Sequence, residues 1–439
     1  MIFGMFGKKS DNSAGDDDED EEVELCTFQG ALNGKDVDLA ANARLAQAGL
    51  VPSKELVTDA IVRRAEQAKI ELKGERAQVT LYVDGIAYSG GKLAKPQFVA
   101  VTQMLKVLAG LDPKLKGQVQ SGGVKADYLG TPYEVELEAT PQPTGADKVV
   151  LKPRNLKAKF TTMEELGFSP SLKALLRETA QKKKGLIIVA GPSASGVTTT
   201  VYAFLKGLDL YTHSAFTIVK MGTREVYNVQ KFEANEADDY GATMLRMLRA
   251  EADVIFVDPI NGPELAKQTA EVADRTVILA EMPAKDAASG IVQFRDWIGD
   301  KAKMAEVLGA FFGVKLIRML CADCKEAFKP NPKLLQKVGL PPETKVLYRK
   351  PEPEPDPKTG EMPDPCEKCG GIGYFGRVPM VECILASETI GKLIAEGATA
   401  DQIKAQARAE GMQTLHKDGL RLVAEGKTSL EELQRIFKA

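Results

Sequence analysis

The sequence predicts an α/β protein: a parallel sheet with a phosphate-binding type of loop, preceded by an α+β domain and followed by a cysteine-rich module. Three observations carry this prediction. Four short apolar runs, GLIIVA, FTIV, VIFV and TVILA, alternate with helical patterns, as strands buried on both faces do. The glycine loop GPSASGVTTT stands between the first run and an apolar helical pattern. Two C-x-x-C pairs follow, and the chain then continues as helical patterns.

The bulk composition is that of an ordinary globular chain. Its 439 residues suffice for two or three domains, and a net charge of −3 gives no general attraction to nucleic acid. No apolar run approaches the ~20 residues that a membrane-spanning helix needs. The opening MIFGMFG is too short for a signal-peptide core, and Lys8 and Lys9 follow it rather than precede it. We expect a cytoplasmic protein whose opening is either disordered or a small anchor to a membrane or partner.

Residues 1–30 are predicted to be a disordered acidic tail. Eight of the nine residues from 16 to 24 are acidic, and self-repulsion with low apolarity keeps such a segment extended. We interpret it either as a solubilising tail or as an attractant for a basic partner.

Residues 31–154 are predicted to form the α+β domain. Residues 36–72 carry helical apolar spacing that Val51-Pro52-Ser53 interrupts, which predicts a turn and a second helix start. QVTLYVDGIAYSGG alternates like two strands that turn at Asp84-Gly85. A helix over 97–110 and two more strands, YEVELEAT and KVVLK, complete the domain.

The rest of the chain is divided into three parts. Residues 155–320 are predicted to form a P-loop domain around the parallel sheet, residues 321–380 a tetracysteine module, and residues 381–439 a helical region. The proline-rich PEPEPDPKTGEMPDP (351–365) interrupts the cysteine module and is expected to be a loop.

The glycine loop has the outline of G-x-x-x-x-G-K-[ST] without its lysine. Gly191 and Gly196 occupy the two glycine positions, Thr198 stands where a hydroxyl holds Mg²⁺, and Val197 replaces the lysine. The N-terminus of the following helix still favours an anion, but valine cannot balance phosphate charge. Two interpretations stay open: a tight turn that binds nothing, or a site with residual nucleotide affinity. The candidate nucleotide contacts are Gly191, Pro192, Ser193, Ala194, Ser195, Gly196, Val197, Thr198, Thr199 and Asp258.

Another lysine could stand in for the missing one. Lys182, Lys183 and Lys184 precede the strand and therefore lie at its opposite end, ~20 Å away at ~3.3 Å per residue. Lys206 lies about two helical turns beyond the loop, ~12 Å along the axis. Only Lys220, after the run FTIV, is expected at the end of the sheet where ligands gather.

The cysteine pairs predict a structural zinc site. Cys321/Cys324 and Cys366/Cys369 supply four thiolates from two knuckles, which suits a closed tetrahedral centre. The neighbouring Lys325, Lys368 and Arg377 would offset its negative charge. Reduced structural cysteines or a redox pair are the alternatives. Cys26 and Cys383 are interpreted as ordinary thiols, with Cys383 in the core.

Several blocks resemble the ATPases that power type II secretion and type IV pilus assembly, from roughly residue 60 to the end. The marks are VDG (83–85), VLAGLD (107–112), EELGFSP (164–170), GPSASGVTTT with VYAFL, LRAEADVIFVD (248–258), LIRMLCADCK (316–325), CEKCGGIGYFGR (366–377) and GMQTLHKDGL (411–420). The resemblance implies a hexameric motor in which an N-terminal α+β domain moves against a RecA-like domain.

The chain departs from this family wherever the resemblance implies chemistry. Lys220-Met221 replaces the paired acids of the Asp box, Asp258-Pro259 replaces the Walker B glycine and glutamate, and the histidine box, at about 273–286, has no histidine. The N-domain arginines that the family brings to the nucleotide map to Thr80, Tyr82, Gly123 and Glu138. The loss of one such arginine can cost ~10³–10⁵ in rate.

We therefore expect a pseudo-ATPase that is a partner or regulator of a secretion or pilus motor. It would form a homomeric hexamer, join a mixed hexamer beside an active paralogue, or hold an inner-membrane platform protein. Zinc is expected as a structural cofactor, and binding of Mg·ATP is expected to be weak or absent. One alternative is an active ATPase rebuilt around Lys220, Asp258 and Thr198. The other is a zinc-stabilised adaptor that binds no nucleotide.

Overall fold

The computed structural model describes residues 24–115, 117–143, 145–158, 162–218, 226–233, 235, 238–257 and 259–438. The chain divides into two compact units, residues 1–159 and residues 160–439. Each unit contains its own seven-stranded sheet. No helix among the described residues is long and apolar enough to cross a membrane.

Unit 1 is an antiparallel sheet with two helices. Its strands are β1 (Thr27–Ala31), β2 (Gln67–Lys73), β3 (Arg76–Val83), β4 (Ile86–Ala94), β5 (Gln120–Tyr128), β6 (Thr131–Pro141) and β7 (Asp147–Asn155), and its helices are α1 (Ala43–Val62) and α2 (Lys95–Leu108). The strand order is β1-β5-β6-β7-β2-β3-β4. Alternate strand residues such as Val79, Val135 and Leu151 are buried in one core with the helices, which follows from the two-residue period of a strand.

The predicted hairpin at Asp84-Gly85 is confirmed. β3 and β4 pair on either side of it, and both turn residues have positive φ, 51° and 78°. Positive φ at both central residues is the requirement of a type I′ turn, and its twist matches that of the strands.

The predicted break at Pro52 is wrong. Helix α1 runs unbroken through Pro52. The helix packs tightly on α2 at Gly49, where an added Cβ would lie 2.6 Å from the Ala100 carbonyl oxygen, and beyond the proline it buries Leu56 and Val57. These tertiary contacts stabilise the helix on both sides of Pro52. Their contribution therefore exceeds the free-energy cost of a proline inside a helix.

Two further boundaries differ from the sequence prediction. Residues 67–73 form strand β2 rather than a helix, because the pairing with β3 and β7 supplies partners that no local pattern reveals. The predicted tail over 1–30 ends earlier, since β1 begins at Thr27 and pairs with β5. Residues 1–23 lie outside the described residues.

Unit 2 is built around the predicted parallel sheet. Its strands are β8 (Gly185–Gly191), β9 (Ala215–Thr217), β10 (Val229–Lys231), β11 (Val254–Val257), β12 (Val277–Pro283), β13 (Leu308–Leu320), β14 (Glu326–Phe328), β15 (Leu347–Arg349) and β16 (Tyr374–Leu385). Its helices are α3 (Pro170–Gln181), α4 (Val197–Gly207), α5 (Tyr240–Arg249), α6 (Pro263–Val272), α7 (Ala287–Ile298), α8 (Lys301–Val307), α9 (Pro332–Val338), α10 (Glu388–Glu396), α11 (Ala400–Ala409), α12 (Leu415–Ala424) and α13 (Leu430–Lys438).

The large sheet of unit 2 has the order β10-β9-β11-β12-β8-β13-β16. The neighbours from β10 to β13 pair in parallel, and only β16 runs antiparallel to its neighbour. All residues of β8 and β11 are buried, as expected for strands covered by helices on both faces. The prediction of a parallel sheet in an α/β fold is thus confirmed.

The cysteine module is continuous with this sheet. β13 ends just before Cys321, and β16 begins after Cys369 and continues to Leu385, across the predicted boundary between residues 380 and 381. The cysteine module therefore lies at the edge of the sheet, where β13 pairs with β16 in antiparallel orientation.

Candidate nucleotide and metal sites

The glycine loop keeps the backbone of an anion site. Strand β8 ends at Gly191 and helix α4 begins at Val197, directly after Gly196 with φ of 85°. An added Cβ at Gly191 would lie 2.3 Å from Ser195 Oγ, so only glycine fits there. The free N–H groups of the first turn of α4 point out of this end of the sheet, where an anion is favoured.

Val197 brings methyl groups where a charge is expected. Its side chain is partly buried and packs against the core cluster beneath the loop. One γ-methyl lies 2.8 Å from the position that a Cβ would take at Gly191. The side chain therefore lies against the loop backbone, and it offers no donor to a phosphate.

Thr198 is hydrogen-bonded to a carboxylate from the adjacent strand. Its Oγ1 donates to Glu281 Oε1 at 3.0 Å, and both side chains are partly buried. Glu281 lies in β12, whose register with β8 places it opposite Val189, two residues from the start of the loop. Sequence reasoning missed Glu281; the available signal was a single acid inside the apolar segment TVILAEMP.

Arg377 from the cysteine side of the sheet also contacts the loop. Its Nη1 donates to the Ala194 carbonyl oxygen at 3.4 Å. Ala194 has a positive φ of 62°, which is uncommon for a residue with a side chain. Ser195 Oγ, beside it, is buried and has no hydrogen-bond partner among the described residues. Arg377 was expected to offset thiolate charge, which stays a prediction, and its contact with the loop was not predicted.

The other predicted nucleotide residues are either exposed at the loop or outside the described residues. Pro192, Ser193 and Thr199 are exposed. Lys220, Met221 and Asp258 lie outside the described residues. Lys182, Lys183 and Lys184 precede β8 and therefore lie at the end of the strand opposite the loop, and Lys206 lies in the last turn of α4.

In unit 1, the positions that correspond to family arginines share one face of the sheet. Thr80 pairs with Lys69, Lys69 with Val150, and Val150 with Glu138, and paired residues point to the same side. Tyr82 and Gly123 lie on that face as well, because Tyr82 is two residues from Thr80 and Gly123 pairs with Glu136, two residues from Glu138. The opposite face holds the buried core.

Two basic groups on this face of unit 1, Lys69 and Arg154, form ion pairs with acids. Lys69 Nζ lies 3.0 Å from Glu71, and Arg154 forms an ion pair with Glu134. The row of β6 carboxylates, Glu134, Glu136 and Glu138, alternates with the inward Val135 and Leu137. The face is therefore a mixed surface rather than a concentration of positive charge.

The four predicted metal ligands come together. The sulfur atoms of Cys321, Cys324, Cys366 and Cys369 all lie within 4.8 Å of one another. The Sγ–Sγ distances are 3.9 Å for Cys321–Cys366 and 3.7 Å for Cys324–Cys369. A tetrahedron with Zn–S of ~2.3 Å has sulfur–sulfur edges of ~3.8 Å, so these two distances match a zinc tetrahedron and the four thiols form a suitable donor set.

The second knuckle is shaped to stabilise a thiolate. Gly370, Gly371 and Gly373 all have positive φ, and the Gly373 N–H donates to Cys369 Sγ at 3.3 Å. A hydrogen bond from the Cys369 backbone is the main cause that lowers the pKa of Cys366 to about 7. Burial instead raises the pKa of Cys321 and Cys324, so a bound cation would be needed to hold these two as thiolates at neutral pH.

The remaining cysteines are separate from the cluster. Cys383 is buried in the core of unit 2, and burial raises the pKa of its thiol. Cys26 is buried in unit 1, where its N–H donates to Thr58 Oγ1.

The two lysines that were predicted to offset thiolate charge have other partners as well. Lys368 forms an ion pair with Asp323 at 2.8 Å, and Lys325 donates to the Gly426 carbonyl oxygen.

Comparison with known proteins identifies a family over most of the chain. Residues 47–435 match the family described as "Type II/IV secretion system protein". The type IV pilus assembly ATPase PilB of Thermus thermophilus is 29% identical over 390 residues, which are 87% of this chain and 42% of PilB. The chain thus spans less than half the length of that relative.

Further similarities cover comparable stretches. The type II secretion system protein HxcR of Pseudomonas aeruginosa is 26% identical over 387 residues, 87% of this chain and 76% of HxcR. The crystal structure of the ATPase DotB of Legionella pneumophila superposes with a TM-score of 0.57 at 13% identity, over 89% of this chain and 96% of DotB. That structural similarity supports the fold alone.

Proposed function

This chain belongs to the type II/IV secretion system protein family, and we propose that it is a member impaired in ATP hydrolysis that acts as a partner or regulatory subunit of a secretion or pilus assembly motor. The single observation that carries the proposal is the hydrogen bond from Thr198 to Glu281, next to Val197. The hydroxyl that would ligate Mg²⁺ is engaged by a carboxylate of the protein itself, and the adjoining position has no cation.

The charge of Glu281 opposes a triphosphate at this loop. Two like charges ~4 Å apart repel by ~4 kcal/mol at an effective dielectric constant of ~20. Val197 occupies the position of the lysine that would ordinarily compensate the phosphate charge. Mg²⁺ could bridge a carboxylate and a phosphate, but it would then have to displace the hydrogen bond of Thr198. We therefore expect binding of Mg·ATP to be weak or absent.

The polar face of unit 1 supports the same conclusion. Thr80, Tyr82, Gly123 and Glu138 share that face and supply no cation to a nucleotide. A missing arginine finger alone can lower the rate by ~10³–10⁵. Because Glu138 adds a negative charge instead, the sheet face is better suited to contact a protein than to stabilise a phosphoryl transition state.

No described residue favours a rebuilt ATPase site. That alternative depends on Lys220 and Asp258, which lie outside the described residues, and on Thr198, whose hydroxyl is already bonded to Glu281. The nucleotide-free adaptor differs from the main proposal only in whether any nucleotide binds, and the titration below separates the two.

The proposed assembly follows from family membership. We propose that the chain enters a homomeric or mixed hexamer, at the cytoplasmic face of the inner membrane, and contacts a paralogous ATPase or a membrane platform protein. We propose that residues 155–320 form a degenerate RecA-like domain, which the interior position of β8 in the parallel sheet supports. Structural zinc bound by the four cysteines is part of the proposal, and the sulfur geometry supports it.

The test is a calorimetric titration of the full chain with Mg·ATP and with a non-hydrolysable analogue. We expect weak binding in the millimolar range without turnover for the native chain, and micromolar binding when Val197→Lys and Glu281→Gln are combined. The matched control is Glu388→Gln, an exposed acid on α10, which should bind no better than the native chain.

Two results would contradict the proposal. Micromolar binding by the native chain would show that a nucleotide site survives, and phosphate release that depends on Asp258 would support the rebuilt ATPase. Millimolar binding without turnover agrees with an impaired ATPase, and no binding at all would favour the adaptor.

A further inference from the structure

A basic and aromatic surface covers one end of the large sheet in unit 2. We call it the amino-end surface and define it by Lys182, Lys183, Lys184, Lys206, Tyr211 and Tyr227. Residues 182–184 precede β8, Tyr211 precedes β9 and Tyr227 precedes β10, so they gather at the amino ends of parallel strands. Lys206 lies in the last turn of α4 and lines a cavity together with Tyr211 and Tyr227. The glycine loop follows the carboxyl end of β8, and the amino-end surface therefore has no part in the nucleotide site.

The surface has unneutralised positive charge. Lys183 Nζ lies 3.8 Å from Asp253. Lys182, Lys184 and Lys206 form no ion pair with any residue that the structure describes. Lys182 and Lys184 are exposed, and Lys206 is half-buried at the end of α4. Within the part of the chain that the structure describes, these three lysines thus have no ion-pair partner.

The aromatic part of the surface is unusually exposed. Tyr211 is 84% exposed and Tyr227 is 80% exposed, yet their rings contact each other with centroids 6.5 Å apart. Tyr211 lies between two open cavities of about 470 and 320 Å³; Asp253 lines the first and Lys206 the second. Exposed tyrosines beside concave surface are typical of protein interfaces.

The same chain contains a segment of complementary charge. Residues 16–24 read DDDEDEEVE. Glu24 is exposed, and two residues later the Cys26 N–H is bonded to Thr58 in unit 1. The chain is therefore anchored in unit 1 directly after the acidic segment.

We propose that the amino-end surface binds the acidic segment 16–24 of a second copy of this chain. The two patches differ from each other, so their contact is heterologous, and repeated heterologous contacts close a ring when the rotation permits. The choice of a second copy rests on the assembly proposed above. The contact itself rests on charge complementarity, which steers association and fixes the partner.

The test is zero-length cross-linking with a carbodiimide, which joins a carboxylate to a lysine amine as an amide while the reagent leaves as a urea. Equal amounts of ¹⁴N- and ¹⁵N-labelled full-length chain are mixed at about 0.5 M salt and dialysed to about 0.02 M, where the Debye length exceeds 20 Å. We expect links between the tryptic peptide 10–35 and the lysines at 182–184 or 206, including mixed light–heavy pairs. These links should disappear when the reaction is run at about 0.5 M salt.

Two variants sharpen the test. Neutralising residues 16–22 as Asn or Gln should abolish the links, and Lys182→Ser with Lys184→Ser should reduce them severalfold. The matched control, Glu352→Gln with Glu354→Gln in the proline-rich loop, should leave them unchanged.

Each other outcome overturns the proposal. Links confined to pairs of one isotope would place the segment on its own chain, and an absence of links to this surface would exclude it as the binding site. If anionic phosphatidylglycerol vesicles, but not the acidic segment, bound in a Lys182- and Lys184-dependent way, the surface would be a membrane contact. The nucleotide titration does not depend on these results, so the two proposals can fail separately.

Discussion

Thr198 Oγ1 and Glu281 Oε1 are 3.0 Å apart, so the first turn of the helix after the glycine loop is tied to the adjacent strand. The bond places a carboxylate beside the N-terminus of α4, which itself favours negative charge. A residue of the protein thus satisfies the helix end that a phosphate would otherwise approach. Several measurable consequences follow from this and from the buried charges of unit 2.

The two changes at the nucleotide loop are expected to be coupled. Val197→Lys alone should improve Mg·ATP binding by less than about tenfold, because we expect the new ammonium, next to Thr198, to pair with Glu281. Combined with Glu281→Gln, it should gain more than the sum of the two single changes. Calorimetric affinities of the four proteins in this cycle measure the coupling, and strict additivity would show that Glu281 does not face the loop ligand.

Zinc is expected to stabilise unit 2 through the four cysteines. Purified chain should contain one zinc per molecule by elemental analysis, and Cys324→Ser should lose it. A chelator should lower the melting temperature of the native chain, because metal affinity contributes directly to folding. Cys383→Ala, which changes a buried thiol outside the cluster, should keep its zinc. A full zinc content in Cys324→Ser would exclude this ligand set.

Glu432 is expected to stabilise the C-terminal helix at neutral pH. It is buried and accepts from Arg318 at 2.7 Å and Arg435 at 2.6 Å. Burial alone would raise its pKa, but the hydrogen bonds from Arg435 and Arg318 outweigh burial and hold that pKa below its ordinary value. Its contribution is therefore present above pH ~4.3 and is lost as the pH falls through the lower folded value.

Glu432→Gln should accordingly lower the free energy of unfolding by about 1–3 kcal/mol at pH 7, since it removes the charged acceptor of the partly buried Arg318 and the exposed Arg435. The difference from the native chain should shrink as the pH falls below ~4. Denaturant unfolding at several pH values measures this. The exposed Glu388→Gln should change stability by less than ~0.5 kcal/mol, and an equally small effect at Glu432 would contradict the expectation.

Glu382 should show the opposite pH dependence. It is buried, accepts from the Ala287 N–H at 3.2 Å and lies 3.6 Å from Lys404, whose closer partner is Asp286 at 2.8 Å. Burial is the largest cause and raises the pKa of Glu382. A raised folded value means that stability falls as the pH rises from ~4.3 through the folded pKa.

Glu382→Gln keeps the acceptor for Ala287 and removes the buried charge. The variant should therefore gain stability relative to the native chain as the pH rises from ~4 to 7, where Glu432→Gln loses it. Unfolding curves for both variants in one pH series make the comparison. A parallel pH dependence for Glu382→Gln and the native chain would show that this carboxyl titrates normally.

Much of the architecture was predictable because it depends on local pattern. The apolar runs around VIFV and GLIIVA are buried strands, the Asp84-Gly85 hairpin has the two positive φ values that its turn needs, and the cysteine spacing anticipated the cluster. These features require only backbone preference and side-chain period. The family also followed from ordered sequence blocks, and the match over residues 47–435 confirms it.

The errors occurred where distant residues decide the outcome. Pro52 predicts a helix break, but the packing of Gly49 on α2 keeps α1 continuous. The apolar spacing of residues 67–73 predicts a helix, but these residues form a strand that pairs with β3 and β7. In both cases tertiary contacts exceed a local preference of a few kcal/mol at most.

By itself, the sequence determined the missing cation, since Val197 cannot carry charge in any fold, and it determined the four thiols that suit zinc. Only the tertiary structure decided that the carboxylate of Glu281 lies beside this loop. Glu281 and Thr198 are hydrogen-bonded although they are 83 residues apart in sequence. The tertiary structure also brought Tyr211, Tyr227 and the lysines to one end of the sheet. The physical reason is the parallel register: it joins strand ends that are remote in the chain, and no local pattern encodes which side chains meet there.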